Sequence, residues 1–243
     1  MSGTPPAPDP SDPPNPPDPQ GPSHPPGPAG SLPGWLSGLL AAAGSVEVAD
    51  LSRFEPPEDG GRASAVLILI GESDRGRDLL LIERAHGMRS HAGQVAFPGG
   101  ALDPADDGPV AGALREAREE TGLDPAGVLP FATLPDLYLP PSGYVVTPVL
   151  GWWQRPSPVS VVDPDEVASV HRVPLTELLD PANRFRVRHP SGYVGPGFRV
   201  AGLFVWGFTA GLIDRVAALA GWEQPWDRNR YEDLPPHLLG DRR

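Results

Sequence analysis

The run Ala65-Val66-Leu67-Ile68-Leu69-Ile70 contains no polar residue, and Leu79-Leu80-Leu81-Ile82, inside Asp78–Arg84, has the same character. A strand wetted on one side alternates apolar and polar residues, whereas a strand apolar throughout needs cover on both faces. These two runs, joined by the turn-rich stretch from Gly71 to Arg77, therefore predict neighbouring strands in a sheet sandwiched between other layers. Further strands are expected at Gln94–Phe97, Val128–Leu134, Tyr144–Leu150, Ser169–Val173 and Phe198–Trp206, and helices at Trp35–Ala43, Pro109–Thr121 and Thr209–Ala220. Pro109 suits a first helical position and Gly122 a helix stop. Strands alternating with a few helices indicate an α/β or α+β sandwich.

Composition sets the outer limits. Of the 35 prolines, 14 precede residue 34, in a stretch with almost nothing apolar to bury. Residues 1–33 are accordingly expected to form a disordered, partly polyproline II tail whose partner, if it has one, is unknown. A folded domain is expected over 34–225, and a polar, frayed extension over 226–243. Cysteine is absent, which excludes disulfides, thiol nucleophiles and thiolate-bound metals. Lysine is absent too, and all 19 cationic side chains are Arg, so no Schiff-base or phosphate-loop lysine exists. A net charge of −12 disfavours binding to a nucleic-acid backbone. The most apolar windows, Ala65–Ile70 and Leu203–Ile213, are shorter than the roughly 20 residues that cross a bilayer. The start of the chain lacks a basic patch followed by an apolar stretch, so a cytoplasmic location with no membrane partner is the expectation.

The chemistry concentrates in Arg115-Glu116-Ala117-Arg118-Glu119-Glu120-Thr121-Gly122. At about 100° per residue, Glu116, Glu119 and Glu120 share a stripe about 100° wide. Val110, Ala113, Leu114, Ala117 and Thr121 fall beside that stripe, so the carboxylates sit at the margin of the buried face. Like charges so placed repel one another, and partial burial strengthens the repulsion. A hard divalent cation such as Mg²⁺ or Mn²⁺ would offset it. Arg115 and Glu119 are spaced to pair across one helical turn. For a bare acidic pattern a solvated helix face is the simpler reading; the pair Gly99-Gly100, which is expected to end a strand just before the helix, adds a place where backbone can approach a phosphate. Together these residues suit attack of metal-activated water on a diphosphate.

The segment resembles the signature of the Nudix hydrolase family, G-x5-E-x7-R-E-U-x-E-E-x-G-U, where U is a bulky aliphatic residue. Gly100, Arg115, Glu116, Glu119, Glu120, Gly122 and Leu123 match it. Asp106 stands where the first Glu is expected, one extra residue separates it from Arg115, and Ala117 is smaller than usual. Upstream, Leu80-Leu81-Ile82-Glu83-Arg84-Ala85, Arg89, Gly93, Val95 and Phe97-Pro98-Gly99-Gly100 resemble the added motif of the coenzyme A pyrophosphatase branch, L-L-T-x-R-S-x3-R-x3-G-x-V-x-F-P-G-G. Ser142–Val149, Pro164–Val167 and Val205–Ala210 also look like that branch.

The resemblance implies a Nudix-type α/β/α sandwich with a mixed central sheet. It implies a pyrophosphohydrolase that cleaves coenzyme A or acyl-CoA to 3′,5′-ADP and (acyl-)4′-phosphopantetheine. Glu116, Glu119 and Glu120 would hold Mg²⁺ or Mn²⁺, with Arg115 supporting them. Glu166 is a candidate extra ligand or base, and the choice of general base between Glu116 and Glu166 stays open. Arg84, Arg89, Gly99 and Gly100 would meet the substrate's phosphates; for Arg84 a strand-end salt bridge is the competing role. Other nucleoside diphosphates (ADP-ribose, NADH, an oxidised nucleotide) and a non-catalytic binding module are the alternatives, and a homodimer is compatible with all of them. His86 and His91 lack zinc-site spacing. Trp152-Trp153 is a candidate adenine platform, with core packing the commoner use of such a pair.

Overall fold

The computed structural model describes residues 31–52, 54, 60–88, 91–140 and 142–239. Most of the proline-rich segment, and Arg89, lie outside these residues. The elements run, in chain order, α1 (Ser37–Ala43), α2 (Val48–Leu51), β1 (Arg62–Ser73), β2 (Gly76–Arg84), β3 (Val95–Ala96), β4 (Gly99–Ala101), α3 (Gly108–Thr121), β5 (Val128–Thr133), β6 (Leu137–Leu139), β7 (Tyr144–Trp153), β8 (Val167–Pro174), α4 (Leu175–Leu179), β9 (Arg184–Arg188), β10 (Val194–Val200), β11 (Leu203–Val205), α5 (Gly207–Leu219) and β12 (Tyr231–Asp233). Among the described residues no helix is long and apolar enough to cross a membrane.

Strand β1 organises the main, mixed sheet. Along one edge it runs parallel to β7, Arg62 facing Tyr144 through Ile70 facing Trp152. Its other edge is shared: β4 pairs with Ser64–Val66 and β2 with Ile70–Ser73, both antiparallel. Strands β1 and β2 thus pair at one end and part at the other, and the segment carrying β3 and β4 fills the gap. The Leu67 N–H donates to the Pro98 carbonyl at 2.8 Å in the middle of that gap. Strand β8 extends the sheet beyond β2, and β5 and β6 extend it beyond β7.

The unbroken apolar run of β1 is used on both sides, as expected. Ala65, Leu67 and Leu69 pack with Ala113 and Ala117 of α3 and with Trp153. Ile68 and Ile70 pack in a second core with Leu36 and Leu39 near α1 and with Leu212, Ile213 and Val216 of α5. This is the sandwich expected from the sequence. Trp152 and Trp153 are both buried, Trp152 edge-on to Trp35 at 5.7 Å between centroids and Trp153 beneath the Arg172 guanidinium, so the pair serves packing.

Four local expectations are corrected. Gly99-Gly100 does not end a strand but opens β4, because β1 offers it a free edge. The single strand expected at Phe198–Trp206 is a hairpin, β10 and β11, turned by Ala201 (φ 51°) and Gly202 (φ 78°). Its apolar residues hid a two-residue turn of the type that needs positive φ. The described part of the extension, residues 226–239, is held to the fold rather than frayed: β12 pairs parallel with β9, and Leu234 and Leu238 cover Phe185 and Val187. Strand β9, Arg184-Phe185-Arg186-Val187-Arg188, was not among the expected strands although it alternates polar and apolar residues, and with β10, β11 and β12 it makes a second, four-stranded sheet.

The junction between this second sheet and α5 holds an ion pair with little access to water. Arg184 is 1% exposed, bonds Asp214 of α5 and lies 3.7 Å from Glu223. Removing Asp214 takes away the nearer partner of this buried cation and leaves the longer contact to Glu223. Asp214→Leu is therefore expected to lower the stability of the protein by about 2 kcal/mol, read as a fall in the urea midpoint.

Candidate active site

Helix α3 begins at Gly108 (φ 78°) with Pro109 in its first turn, and ends where Gly122 takes a left-handed conformation (φ 70°) and its N–H bonds the Arg118 carbonyl at 2.9 Å. Ala113, Ala117 and Thr121 face the sheet. The three glutamates then fall into different environments. Glu120 is buried (5% exposed), Glu116 is half-buried, and the Glu119 side chain is 51% exposed.

The two glycines of β4 make room for this helix. A Cβ on Gly99 would stand 2.3 Å from the Ala65 carbonyl oxygen, so only glycine lets β4 lie this close to β1. A Cβ on Gly100 would stand 2.6–2.7 Å from the carboxyl atoms of Glu116, so the Glu116 carboxylate rests directly on the strand backbone. The Gly99 N–H donates to Glu120 Oε2 at 2.9 Å.

Arg115 ties the acidic residues together. Its Nε and Nη2 donate to the two oxygens of Asp106 at 3.0 and 2.9 Å, a two-pronged bond in the geometry that suits guanidinium and carboxylate. Its Nη1 donates to Glu116 Oε1 at 2.9 Å and to Glu119 Oε2 at 3.0 Å, and Nη2 also donates to the Ala101 carbonyl at 3.1 Å. The expected pairing with Glu119 is thus present but is one bond of five. Asp106 is held below the usual carboxylate value, first by its bond to Arg115 and then by the backbone N–H of Asp103. Gly112 gives Asp106 and Leu102 space against the helix, since a Cβ there would meet them at 3.0 and 2.4 Å.

Glu120 is in the opposite condition. Burial pushes its carboxyl up to about 8; the Gly99 N–H opposes this, the charge of Glu116 adds to it, Arg84 opposes it and Glu166 adds to it. Glu116 is also raised, mainly by burial, with Arg115 opposing and Glu119 and Glu166 adding. Glu116, Glu120, Glu166 and Arg84 therefore form one electrostatic neighbourhood. Glu166 is exposed and enters it from the loop before β8, where its carbonyl accepts from the Ala85 N–H at 2.9 Å. Arg84 enters it from the end of β2, with a buried Nε that has no hydrogen-bond partner and no ion pair among the described residues, so the strand-end salt bridge is not formed.

Among the described residues no three His, Asp or Glu side chains are gathered tightly enough to enclose an ion. Arg115 draws Glu116 and Glu119 to itself, and Gly99 holds Glu120. The donor set is nonetheless all carboxylate oxygen, the kind that suits a hard divalent cation, and among the described residues Arg84 is the Arg whose charge opposes the upward shift of the buried Glu120 beside two other carboxylates.

A NUDIX domain family model matches residues 61–192, and the uncharacterized Nudix hydrolase NudL of Citrobacter koseri is 40% identical over 185 residues, which cover 70% of this chain and 93% of that protein. The chain belongs to the Nudix hydrolase family. NudL of Escherichia coli K12 is 40% identical over 167 residues, covering 66% of this chain and 83% of its own. Among solved structures, the Nudix hydrolase RenU of M. smegmatis superposes with a TM-score of 0.46 at 20% identity, covering 71% of this chain and 97% of its own.

In this Nudix hydrolase, Asp106 at the position of the expected first Glu is the main anchor of Arg115. Sequence reading noted the departure but gave Asp106 no part in the site. The available signal was its place in the family pattern; its partner became visible only in the fold. His91 caps locally, Nδ1 to Gln94 Oε1 at 3.0 Å.

The two β4 glycines predict different failures. Gly99→Ala drives a methyl into backbone and is expected to cost about 3 kcal/mol of stability. Gly100→Ala meets only the end of a flexible side chain, so it is expected to cost under about 1 kcal/mol while moving the Glu116 carboxylate off β4. Urea unfolding of both variants and a crystal structure of Gly100→Ala check this.

Proposed function

We propose that this Nudix hydrolase cleaves the diphosphate of coenzyme A or an acyl-CoA in a divalent-metal-dependent reaction, releasing 3′,5′-ADP and (acyl-)4′-phosphopantetheine. The observation that carries the reading is Glu120: a buried carboxylate pinned to the Gly99 N–H and pushed up to about 8 by burial and its acidic neighbours, with that N–H and the charge of Arg84 in partial compensation. Such a site favours a cation, and Glu116, Glu119 and Glu120 are the residues that would hold Mg²⁺ or Mn²⁺. When bound, the ion would neutralise the diphosphate and acidify water.

The remaining roles fall to the chain itself. Arg115 holds Glu116 and Glu119 against Asp106 and limits their motion. Arg84 supplies positive charge for the phosphates from the end of β2. Gly99 and Gly100 present backbone without side chains. Glu116 and Glu166 are the candidate bases, since both border Glu120 and neither is fully buried. Arg89 belongs with Arg84 by motif. The coenzyme A preference is supported by the motif from Leu80 to Gly100 and the Ser142–Val149 segment. A different nucleoside diphosphate, such as ADP-ribose, is the second reading.

The reading predicts that coenzyme A is turned over with Mg²⁺ or Mn²⁺ and that Glu120→Gln lowers kcat by roughly 100-fold or more, while chelation abolishes turnover in the wild type. Mass spectrometry of products formed in H₂¹⁸O would identify the substrate and the phosphorus attacked. Equal rates for the two proteins would remove the acidic helix from the reaction. Faster turnover of ADP-ribose than of coenzyme A would favour the second reading.

A further inference from the structure

Strand β2 meets β8 in regular register as far as Glu83, which faces Ser169, but the next residue, Arg84, faces Val167. Ala168 of β8 has no opposite number, so the pairing carries a bulge. Bulges bend a strand and re-aim the side chains beside them. The residues beside this one are Arg84 on β2 and, just before β8, Glu166. Their backbone is fixed at close range: the Ala85 N–H donates to the Glu166 carbonyl at 2.9 Å, the Arg84 N–H to the Gln94 carbonyl at 2.9 Å, and the Gly93 N–H to the Arg84 carbonyl at 3.1 Å.

Successive residues of a strand point to opposite faces, so Glu83 lies on the side of the sheet away from α3. There Ser169 Oγ donates to Glu83 Oε2 at 2.8 Å and stands 2.6 Å from His171 Nε2. The other Glu83 oxygen is 3.6 Å from His86 Nε2. With the serine proton given to Glu83, the ring N–H at Nε2 is the donor that completes the serine. Burial pulls the His171 pKa down against the charge of Glu83, which agrees with a neutral ring. This half-buried chain of polar groups does not belong to the acidic helix and takes no part in the chemistry above. It does span the two strands on the regular side of the bulge.

We propose that Ser169, bonded between Glu83 and His171, is a positioning residue that locks the β2–β8 register at the bulge and thereby fixes where Arg84 and the Glu166 loop stand at the acidic helix. A one-residue slip would turn each side chain to the other face, and Ala168 is the residue that such a slip would take up. The catalytic arm of this inference rests on the proposed hydrolysis; the structural arm does not.

The test uses the full chain carrying Ser169→Ala, Ser169→Thr or His171→Gln, with Arg84→Ala alone and combined with Ser169→Ala. Amide hydrogen exchange at Ala85 is expected to quicken about tenfold in Ser169→Ala, less in His171→Gln, and not in Ser169→Thr, which keeps the hydroxyl. With coenzyme A and Mg²⁺, Ser169→Ala is expected to lower kcat by roughly tenfold, Ser169→Thr to restore it, and Ser169→Ala to have a clearly smaller effect in the Arg84→Ala background, where only the Glu166 loop is left to displace. Unchanged exchange at Ala85 in Ser169→Ala, or a loss of rate that simply multiplies with that of Arg84→Ala, would overturn the proposal. Should Ser169→Ala fail to fold, His171→Gln and Ser169→Thr carry the same comparison. A wild type that turns over no nucleoside diphosphate would defeat the proposed function, while the exchange measurement would still decide the register.

Discussion

The approach of β4 to β1 at Gly99 and Gly100 sets the distances on which the rest of the site depends. Strand β1 is buried on both faces over its apolar run and paired along one edge by β7 from Arg62 to Ile70. Only half of its other edge is free, because β2 takes the end and then veers away. A segment without side chains can lie in that gap, offer an N–H to Glu120 and give Glu116 a surface to rest on. Larger residues there would push the helix and its carboxylates away from the sheet.

Electrostatics divides the acidic residues into two groups with opposite needs. Asp106, Glu116 and Glu119 share one guanidinium, and the two-pronged bond of Arg115 to Asp106 leaves only Nη1 for the two glutamates. Among the described residues Glu120 has no such partner and accepts from a backbone amide. Three carboxylates on one stripe are therefore not equivalent: two are compensated within the chain, and the third is the place where additional positive charge would be most welcome.

Much of this was legible from residue order. Helix α3 was expected within one residue of its observed limits, because Pro109 and Gly122 mark its ends by backbone chemistry alone. The stripe of Glu116, Glu119 and Glu120 followed from helical geometry, as did its place at the margin of the buried face. That Glu120 is the buried member was not legible, since it depends on Gly99 bonding it from another strand. Strand β4 was hidden because Pro-Gly-Gly reads locally as a stop, and its partner lies far away in sequence. Strand β9 was legible, since Phe185 and Val187 alternate with three arginines, but it was not among the expected strands; β12, only Tyr231-Glu232-Asp233, is too short and polar to announce itself. Asp106 was visible as a departure from a pattern, but its purpose required the loop to fold back onto Arg115.

The small second sheet has a consequence for biosynthesis. Phe185 and Val187 are fully enclosed, yet the leucines that enclose them, Leu234 and Leu238, are translated well after α5. While the polypeptide emerges, the β9–β10 pair must wait with an apolar flank bare, in the interval when nascent chains are most prone to associate wrongly. The order of the chain thus makes the final closing of this sheet a late event, and places the vulnerable moment of the protein's life far from its chemistry.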